Sequence, residues 1–385
     1  MNNSDEQFMQ LAIDLAMAGR GLVEPNPMVG CVIVKNNQVI GSGIHRQYGQ
    51  AHAEPNALAN CTESVAGATA YVTLEPCSHT NKQTPPCAPR LIDAKVARVV
   101  VGAVDLNPNV SGQGIAQLRE AGIDVIVGVL EKECLQLATV FIKRMRNESG
   151  QVAKAASSVQ HRKPASPYVT LKWAQSANGK IAGANGARVA ISNGSASKAV
   201  HQLRAKVDSI LVGSNTVLTD DPLLTARGIT AHRQPVRYVI DRKLQIPANA
   251  KVFTASAAPT NIFSQVRHGR PGSNLIFIDN PGEHLDLGVI LEKIFENHHY
   301  DLLIESGGQL ACAMLAENHV DRLWVIQSPQ IITANNAPDS CAVPKHFIAT
   351  GKMNLDGNVL TEFLNPDSTA FHTVQPSADF RALLE

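Results

Sequence analysis

His52-Ala53-Glu54-Pro55-Asn56-Ala57-Leu58, then Tyr71-Val72-Thr73-Leu74-Glu75-Pro76-Cys77 and Thr84-Pro85-Pro86-Cys87, decide how the first half of the chain folds. Tyr71 to Leu74 is a short apolar strand bounded by Pro76. A helix begins near Glu54, with Pro55 suited to its first turn, and another begins near Cys87. Upstream, Ser4-Asp5-Glu6-Gln7 reads as a capping box, followed by Phe8, Leu11, Ala12 and Leu15 at helical spacing. Gly19 and Gly21 end that helix. Val29 to Val34 is a strand, and Lys35-Asn36-Asn37-Gln38 turns it into a second strand at Val39-Ile40. Downstream come a strand at Val99–Val104, a helix at Gly114–Glu120, a strand at Val125–Val127 and a helix at Glu131–Arg146. This alternation predicts a layered α/β domain over residues 1–146.

Residues 147–167, NESGQVAKAASSVQHRKPASP, carry almost no large apolar side chains and read as a linker. Alternation resumes over 168–385 with strands at Tyr168–Lys172, Ser209–Val212, Arg237–Ile240, Leu275–Ile278, Asp301–Ile304 and Leu323–Gln327. Helices are expected at Ser195–Ala205 and Gly308–Glu317. The second domain is therefore also α/β. The last fifty residues carry no legible pattern.

With 385 residues, 44% hydrophobic and 17% charged, the chain has material for two full cores. Its 34 basic and 33 acidic residues leave a net charge of +1, which lacks the basic footprint of a duplex-binding protein. No apolar run reaches the roughly 18 residues of a membrane helix. The polar start, MNNSDEQFMQ, resembles neither a secretory signal nor a transit peptide, so a cytoplasmic protein is expected. The seven cysteines show no disulfide-framework spacing and are expected to be reduced.

His52, Cys77 and Cys87 are a zinc-preferring set, and three protein ligands leave one tetrahedral position for water, the catalytic arrangement. Zinc can bring such a water's pKa to about 7. Glu54, two residues from the His, is placed to carry protons without binding metal. The order matches the H-x-E…P-C…C signature of zinc deaminases. A structural zinc site is the alternative, with His79 as its fourth ligand. Cys31, Cys61, Cys134, Cys312 and Cys341 are isolated and read as small core residues.

Pro25-Asn26-Pro27-Met28-Val29-Gly30-Cys31-Val32, HAEPNAL at 52–58 and TLEPCSHTNKQTPPC at 73–87 resemble one branch of the cytidine-deaminase superfamily, the riboflavin-biosynthesis pyrimidine deaminases. Asp105 to Gly114 and Ala121-Gly122-Ile123 extend the resemblance over nearly all of 1–146. It implies a cytidine-deaminase-like three-layer domain in which Glu54 is catalytic, His52, Cys77 and Cys87 hold one Zn²⁺, and Asn26 and His79 touch substrate. The family's Ser-His-x-Gly-Arg/Lys-Thr is here Ser78-His79-Thr80-Asn81-Lys82-Gln83-Thr84, one residue longer and without the Gly, so the basic substrate-phosphate position falls to Lys82.

The second half offers its own signals. Glu305-Ser306-Gly307-Gly308 ends a strand in a Gly pair able to cradle phosphate, and Arg242 follows a strand, where a cation suits NADP. Leu171 to Lys180, Leu203-Arg204-Ala205, Asp208 to Gly213, Thr216 to Arg227 and Glu305 to Gly308 resemble the reductase, related to dihydrofolate reductase, that is commonly fused to this deaminase. By position, Ala174, Ala190, Thr216, Asp220, Arg242, Gly307 and Gly308 would line an NADPH site. Arg188, Arg204, Leu224, Arg227 and Glu305 would hold the ribose-phosphate substrate. Ala190 replaces a frequent Trp, and Ala177-Asn178-Gly179 replaces Leu-Asp-Gly.

The resemblance thus implies zinc-dependent deamination of 2,5-diamino-6-(5-phosphoribosylamino)pyrimidin-4-one, then NADPH-dependent reduction of ribosyl to ribityl. A small-molecule substrate, no nucleic acid, no membrane and a homo-oligomer, dimer or tetramer, are expected. Two rivals stand beside it. One is a nucleoside or nucleic-acid deaminase with a non-catalytic nucleotide-binding second domain. The other is a zinc-stabilised binding protein whose second half senses nucleotide without turnover. The low aromatic content, 4%, argues against a single-strand stacking groove.

Overall fold

In a computed structural model, Asn36 and Asn37 adopt φ of 50° and 60°, the conformation of a tight two-residue hairpin turn. They join β1 (Gly30–Lys35) to β2 (Gln38–Ile44), which runs four residues past the expected Val39-Ile40. The structure describes residues 3–78, 84–107, 111–148, 164–255, 257–267, 272–280, 282–371 and 373–383. It divides into two compact units, Met1–Met145 and Arg146–Glu385.

The first unit is built on a sheet of order β2-β1-β3-β4-β5, with β3 at Thr69–Leu74, β4 at Arg98–Ala103 and β5 at Asp124–Val127. β1 pairs antiparallel with β2 and β3, while β3, β4 and β5 are parallel. Cys31, Ile33, Val72, Val99 and Val101 face a core shared with α2 (Ala53–Ala59), α3 (Cys87–Asp93) and α4 (Gln113–Glu120). The alternate residues face α1 (Asn3–Ala16), where Tyr71 meets the Phe8 ring. The sheet thus lies between helical layers. Gly43 lets α2 approach β2, since a Cβ there would fall 2.2 Å from the Ala57 nitrogen.

Two local expectations are corrected. α1 already includes Ser4, so Ser4 is not its cap, and Asp5 turns instead to Arg98 and Tyr71. The helix expected over Glu131–Arg146 is two, α5 (Glu131–Leu137) and α6 (Thr139–Glu148). Ala138 leaves the helical region at φ −105°, ψ 9°, and the Thr139 hydroxyl bonds the Gln136 carbonyl, a local competitor of helix bonding.

The second unit carries a nine-stranded sheet, β10-β9-β8-β7-β11-β6-β12-β14-β13. Its parallel part runs through β6 (Tyr168–Gln175), β7 (Ser209–Gly213), β8 (Val236–Ile240), β9 (Thr260–Ser264), β10 (Asn274–Phe277), β11 (Asp301–Glu305) and β12 (Arg322–Gln327). Leu302 and Ile304 face one core and Leu303 the other, as a parallel sheet covered on both faces requires. Helices α7 (Gly194–Arg204), α8 (Ser214–Asp220), α9 (Lys251–Thr254), α10 (Leu287–Glu296) and α11 (Gln309–Ala316) connect the strands. β11 lies between β6 and β7, so successive strands diverge from it to opposite sides.

The last fifty residues, unreadable from sequence, form the hairpin β13 (Ile348–Leu355) and β14 (Asn358–Leu364), antiparallel to β12, and a short helix α12 (Ala378–Arg381). Arg322 on β12 reaches Asp379 at 2.9 Å and anchors that helix. Cys312 and Cys341 are joined in a disulfide, correcting the expectation of reduced thiols for this pair: the fold brings Cα atoms 29 residues apart in sequence to 5.5 Å. No helix among the described residues is long and apolar enough to cross a membrane.

Candidate active site

In the first unit, Ala53 opens α2 with His52 just ahead of it, and Cys87 opens α3 behind Pro86. The Cys87 and Ala88 amides donate to the Cys77 carbonyl at 2.9 and 3.1 Å, tying the loop after β3 to the α3 start. His52 Nδ1 lies 3.6 Å from Cys77 Sγ and 3.5 Å from Cys87 Sγ. Tetrahedral zinc with Zn–S of about 2.3 Å and Zn–N of about 2.05 Å demands an N···S separation of about 3.6 Å. These three residues fit zinc, and they are the group of possible metal ligands found among the described residues. His52 Nε2 meets Thr84 Oγ1 at 3.3 Å, fixing the ring with Nδ1 toward the sulfurs.

Glu54 is 3% exposed. Burial, and next the Cys77 charge, push its carboxyl above the ordinary value, and its buried Oε2 has no hydrogen-bond partner. A buried carboxylate oxygen left without a donor beside a zinc-ligand set is suited to a water proton.

His52, Cys77 and Glu54 open on a cleft of about 320 Å³ lined also by Asn26, His45, Glu75, Asp105 and Asn107. His45 Nδ1 lies 3.1 Å from the Ala51 carbonyl, which can only accept. Nδ1 therefore carries the proton, and Nε2 accepts from Asn26 Nδ2 at 3.1 Å. Burial lowers the His45 pKa, favouring that neutral form. Sequence reading named Asn26 but missed His45, Thr84, Glu75, Asp105 and Asn107. Only Glu75 and Thr84, flanking the two cysteine ligands, carried a local signal. His79 and Lys82 lie outside the described residues.

In the second unit the residues singled out gather at the carboxyl ends of the parallel strands, where open α/β sheets bind ligands. Ala174 lies near the end of β6, Thr216 and Asp220 on α8 after β7, Arg242 just past β8, and Gly307 and Gly308 past β11. The Gly307 backbone packs against Ile181, leaving 3.4 Å to an added Cβ. Arg188 Nε lies 3.3 Å from Asp220 Oδ1 in an exposed pair, and Ala190 is exposed. Arg242 Nη1 makes a long, 3.4 Å bond to Gln265 Oε1.

Arg204 donates from Nε and Nη2 to Glu305 and from Nη1 to the Thr225 carbonyl, and Arg227 Nη1 reaches Thr225 Oγ1 at 2.8 Å. Leu224 precedes this pair of contacts at φ 52° and is 1% exposed. Lys172, beside Glu305 in the β6–β11 register, completes the cluster. Burial lowers its pKa while Glu305 opposes that shift. Its signal in sequence was a lysine inside an apolar strand.

Two family models match the chain: the cytidine and deoxycytidylate deaminase zinc-binding region over residues 2–103 and the RibD C-terminal domain over residues 167–346. The chain is 37% identical to the riboflavin biosynthesis protein RibD of Aquifex aeolicus, covering 85% of this chain and 88% of that protein. It is also 37% identical to the RibD of Escherichia coli, covering 88% and 91%. Among solved structures it is similar to a diaminohydroxyphosphoribosylaminopyrimidine deaminase/5-amino-6-(5-phosphoribosylamino)uracil reductase from Thermotoga maritima. The TM-score is 0.80 at 32% identity, over 94% of this chain and 99% of that one.

Proposed function

Because the chain belongs to the RibD family of bifunctional riboflavin-biosynthesis enzymes, we propose that its two domains divide the two reactions, with residues 1–146 deaminating, 147–167 linking and 168–385 reducing. The protein is a zinc-type deaminase and a reductase. The observation that carries the deaminase assignment is the unpartnered Glu54 oxygen beside a ligand set with zinc-compatible spacing.

His52, Cys77 and Cys87 would hold the zinc. When bound, that ion supplies Lewis acidity that lowers the pKa of water at its open position. Glu54 takes up the attacking water's proton at Oε2 and delivers it to the pyrimidine nitrogen, then takes the remaining proton of the added hydroxyl and delivers it to the amine, which departs as ammonia. Its burial, which favours the protonated carboxyl, suits a group that must hold a proton between uptake and delivery. Asn26, held by His45, orients the ring, while His79 and Lys82 are assigned to the substrate and its phosphate. The substrate we assign is 2,5-diamino-6-(5-phosphoribosylamino)pyrimidin-4-one.

The reductase domain takes a nucleotide cofactor, and we assign NADPH. Ala174, Ala190, Thr216, Asp220, Arg242, Gly307 and Gly308 are the proposed cofactor contacts. Arg188, Arg204, Leu224, Arg227 and Glu305 are the proposed substrate contacts. The cofactor supplies hydride, and the chain's part is to hold nicotinamide against the sugar carbon. The Arg188–Asp220 ion pair, 3.3 Å apart, supports reading the two proposed sets of contacts as parts of one site. A homo-oligomer in the cytoplasm completes the reading.

The test is to supply the diaminopyrimidine to purified protein with and without NADPH. Without NADPH the deaminated ribosyl compound and ammonia should accumulate. With NADPH the ribityl compound should form. Ammonia release from cytidine or single-stranded DNA in preference to this substrate would overturn the assignment.

A further inference from the structure

Glu75 lines the same cleft as His52, Cys77 and Glu54, and its side chain has no role in the chemistry described above. It is 3% exposed and directly precedes Pro76-Cys77. Both carboxylate oxygens are saturated by backbone amides from a stretch of chain 30 to 40 residues away. Oε2 accepts from Asp105 at 3.2 Å and Gly112 at 2.9 Å. Oε1 accepts from Gly114 at 2.9 Å and Ile115 at 3.3 Å. One oxygen therefore holds the amides of both Asp105 and Gly112, and the other holds the first turn of α4. Gly114 makes this approach possible, since a Cβ there would lie 1.9 Å from the Pro76 carbonyl.

Asp105 and Asn107 line the same cleft as His52, Cys77 and Glu54. The Asn107 amide donates to Asp105 Oδ1 at 2.8 Å, so the position of Asn107 follows that of Asp105. A carboxylate is the one side chain of this length with acceptors only, and it takes four amides without leaving a donor unmatched. We propose that Glu75 is a positioning residue for deamination, setting the Asp105–Asn107 wall against the bound pyrimidine at a fixed distance from the metal ligands. This rests on the deaminase reading above.

The physical expectation is specific. In Glu75→Gln one oxygen becomes an amide nitrogen, which places donors against two backbone donors and releases one of the two pinned sets. The wall loosens while His52, Cys77, Cys87 and Glu54 stay in place. The KM for the diaminopyrimidine should rise by about ten- to a hundredfold. The kcat should change by less than about threefold, because interactions with the reacting atoms are kept.

The experiment uses the full zinc-loaded chain. Zinc per chain, kcat and KM for deamination, and reduction of pre-deaminated substrate are measured for wild type, Glu75→Gln, Asn107→Ala and the double variant. Retained zinc, retained reduction, a KM-dominated loss and strong non-additivity of Glu75→Gln with Asn107→Ala support the proposal. Lost zinc, a kcat-dominated loss, additive effects or an unchanged KM overturn it. If Glu75→Gln does not fold, Glu75→Asp, which keeps the charge but withdraws the oxygens by one methylene, carries the same test. Absence of deamination by the wild type would instead defeat the functional reading, an outcome distinct from these.

Discussion

Arg204 on α7 and Glu305 at the end of β11 meet in a two-pronged ion pair, Nε to Oε1 at 2.5 Å and Nη2 to Oε2 at 2.9 Å, each side chain only 12% exposed. Burial by itself would raise the Glu305 pKa, but Arg204, and behind it Lys172, hold the carboxyl at about 2.

This pair sets an acid limit on the second unit. The folded pKa lies below the unfolded value, so the stabilisation is complete above about pH 4.5 and is lost as pH falls toward 2. A shift of this size corresponds to on the order of 3 kcal/mol. Urea unfolding of wild type between pH 6 and 2.5 should show this loss, and Glu305→Gln should flatten it. Parallel curves for the two proteins would show that the pair contributes nothing to the acid limb.

Glu54→Gln should keep one zinc per chain and lose deamination by about 10²–10⁴-fold, the range for removal of a general acid–base. Reduction of pre-deaminated substrate should persist. Metal analysis beside the two separate activity assays checks this, and loss of zinc would reassign Glu54 as a ligand.

His79→Ala separates the catalytic from the structural zinc reading. With His52, Cys77 and Cys87 sufficient, the variant should bind one zinc per chain and lose substrate affinity. A variant that binds none would make the site four-coordinate by protein.

Arg242→Ala should weaken NADPH by about ten- to a hundredfold, since charge-assisted bonds to a 2′-phosphate are worth roughly 1.5–3 kcal/mol. NADH, which lacks that phosphate, should be unaffected. The long bond to Gln265 leaves the guanidinium available for this. Equal losses for both cofactors, or none, would show that Arg242 does not read the phosphate.

Residue types and local spacing determined much of this protein. The His-x-Glu and the two Pro-Cys steps point to zinc by residue type, because zinc selects thiolate and imidazole. The Asn36-Asn37 turn and the alternation of strands and helices follow from local backbone preference and side-chain period. Sequence reading made no assignment for Leu287–Glu296, which is α10. Local signals failed at the break at Ala138, where the Thr139 hydroxyl bonds the Gln136 carbonyl.

Tertiary structure alone decided the rest. β14 became a strand by pairing with β12, and α12 was placed by Arg322, partners distant in sequence that no window of residues contains. The walls of the deaminase cleft arise likewise. The resemblance covers Asp105 and Asn107, but nothing local places them at the cleft; Glu75, some thirty residues earlier, accepts the Asp105 amide. A hydrogen bond needs two groups within about 3 Å, and only the folded chain brings those groups together.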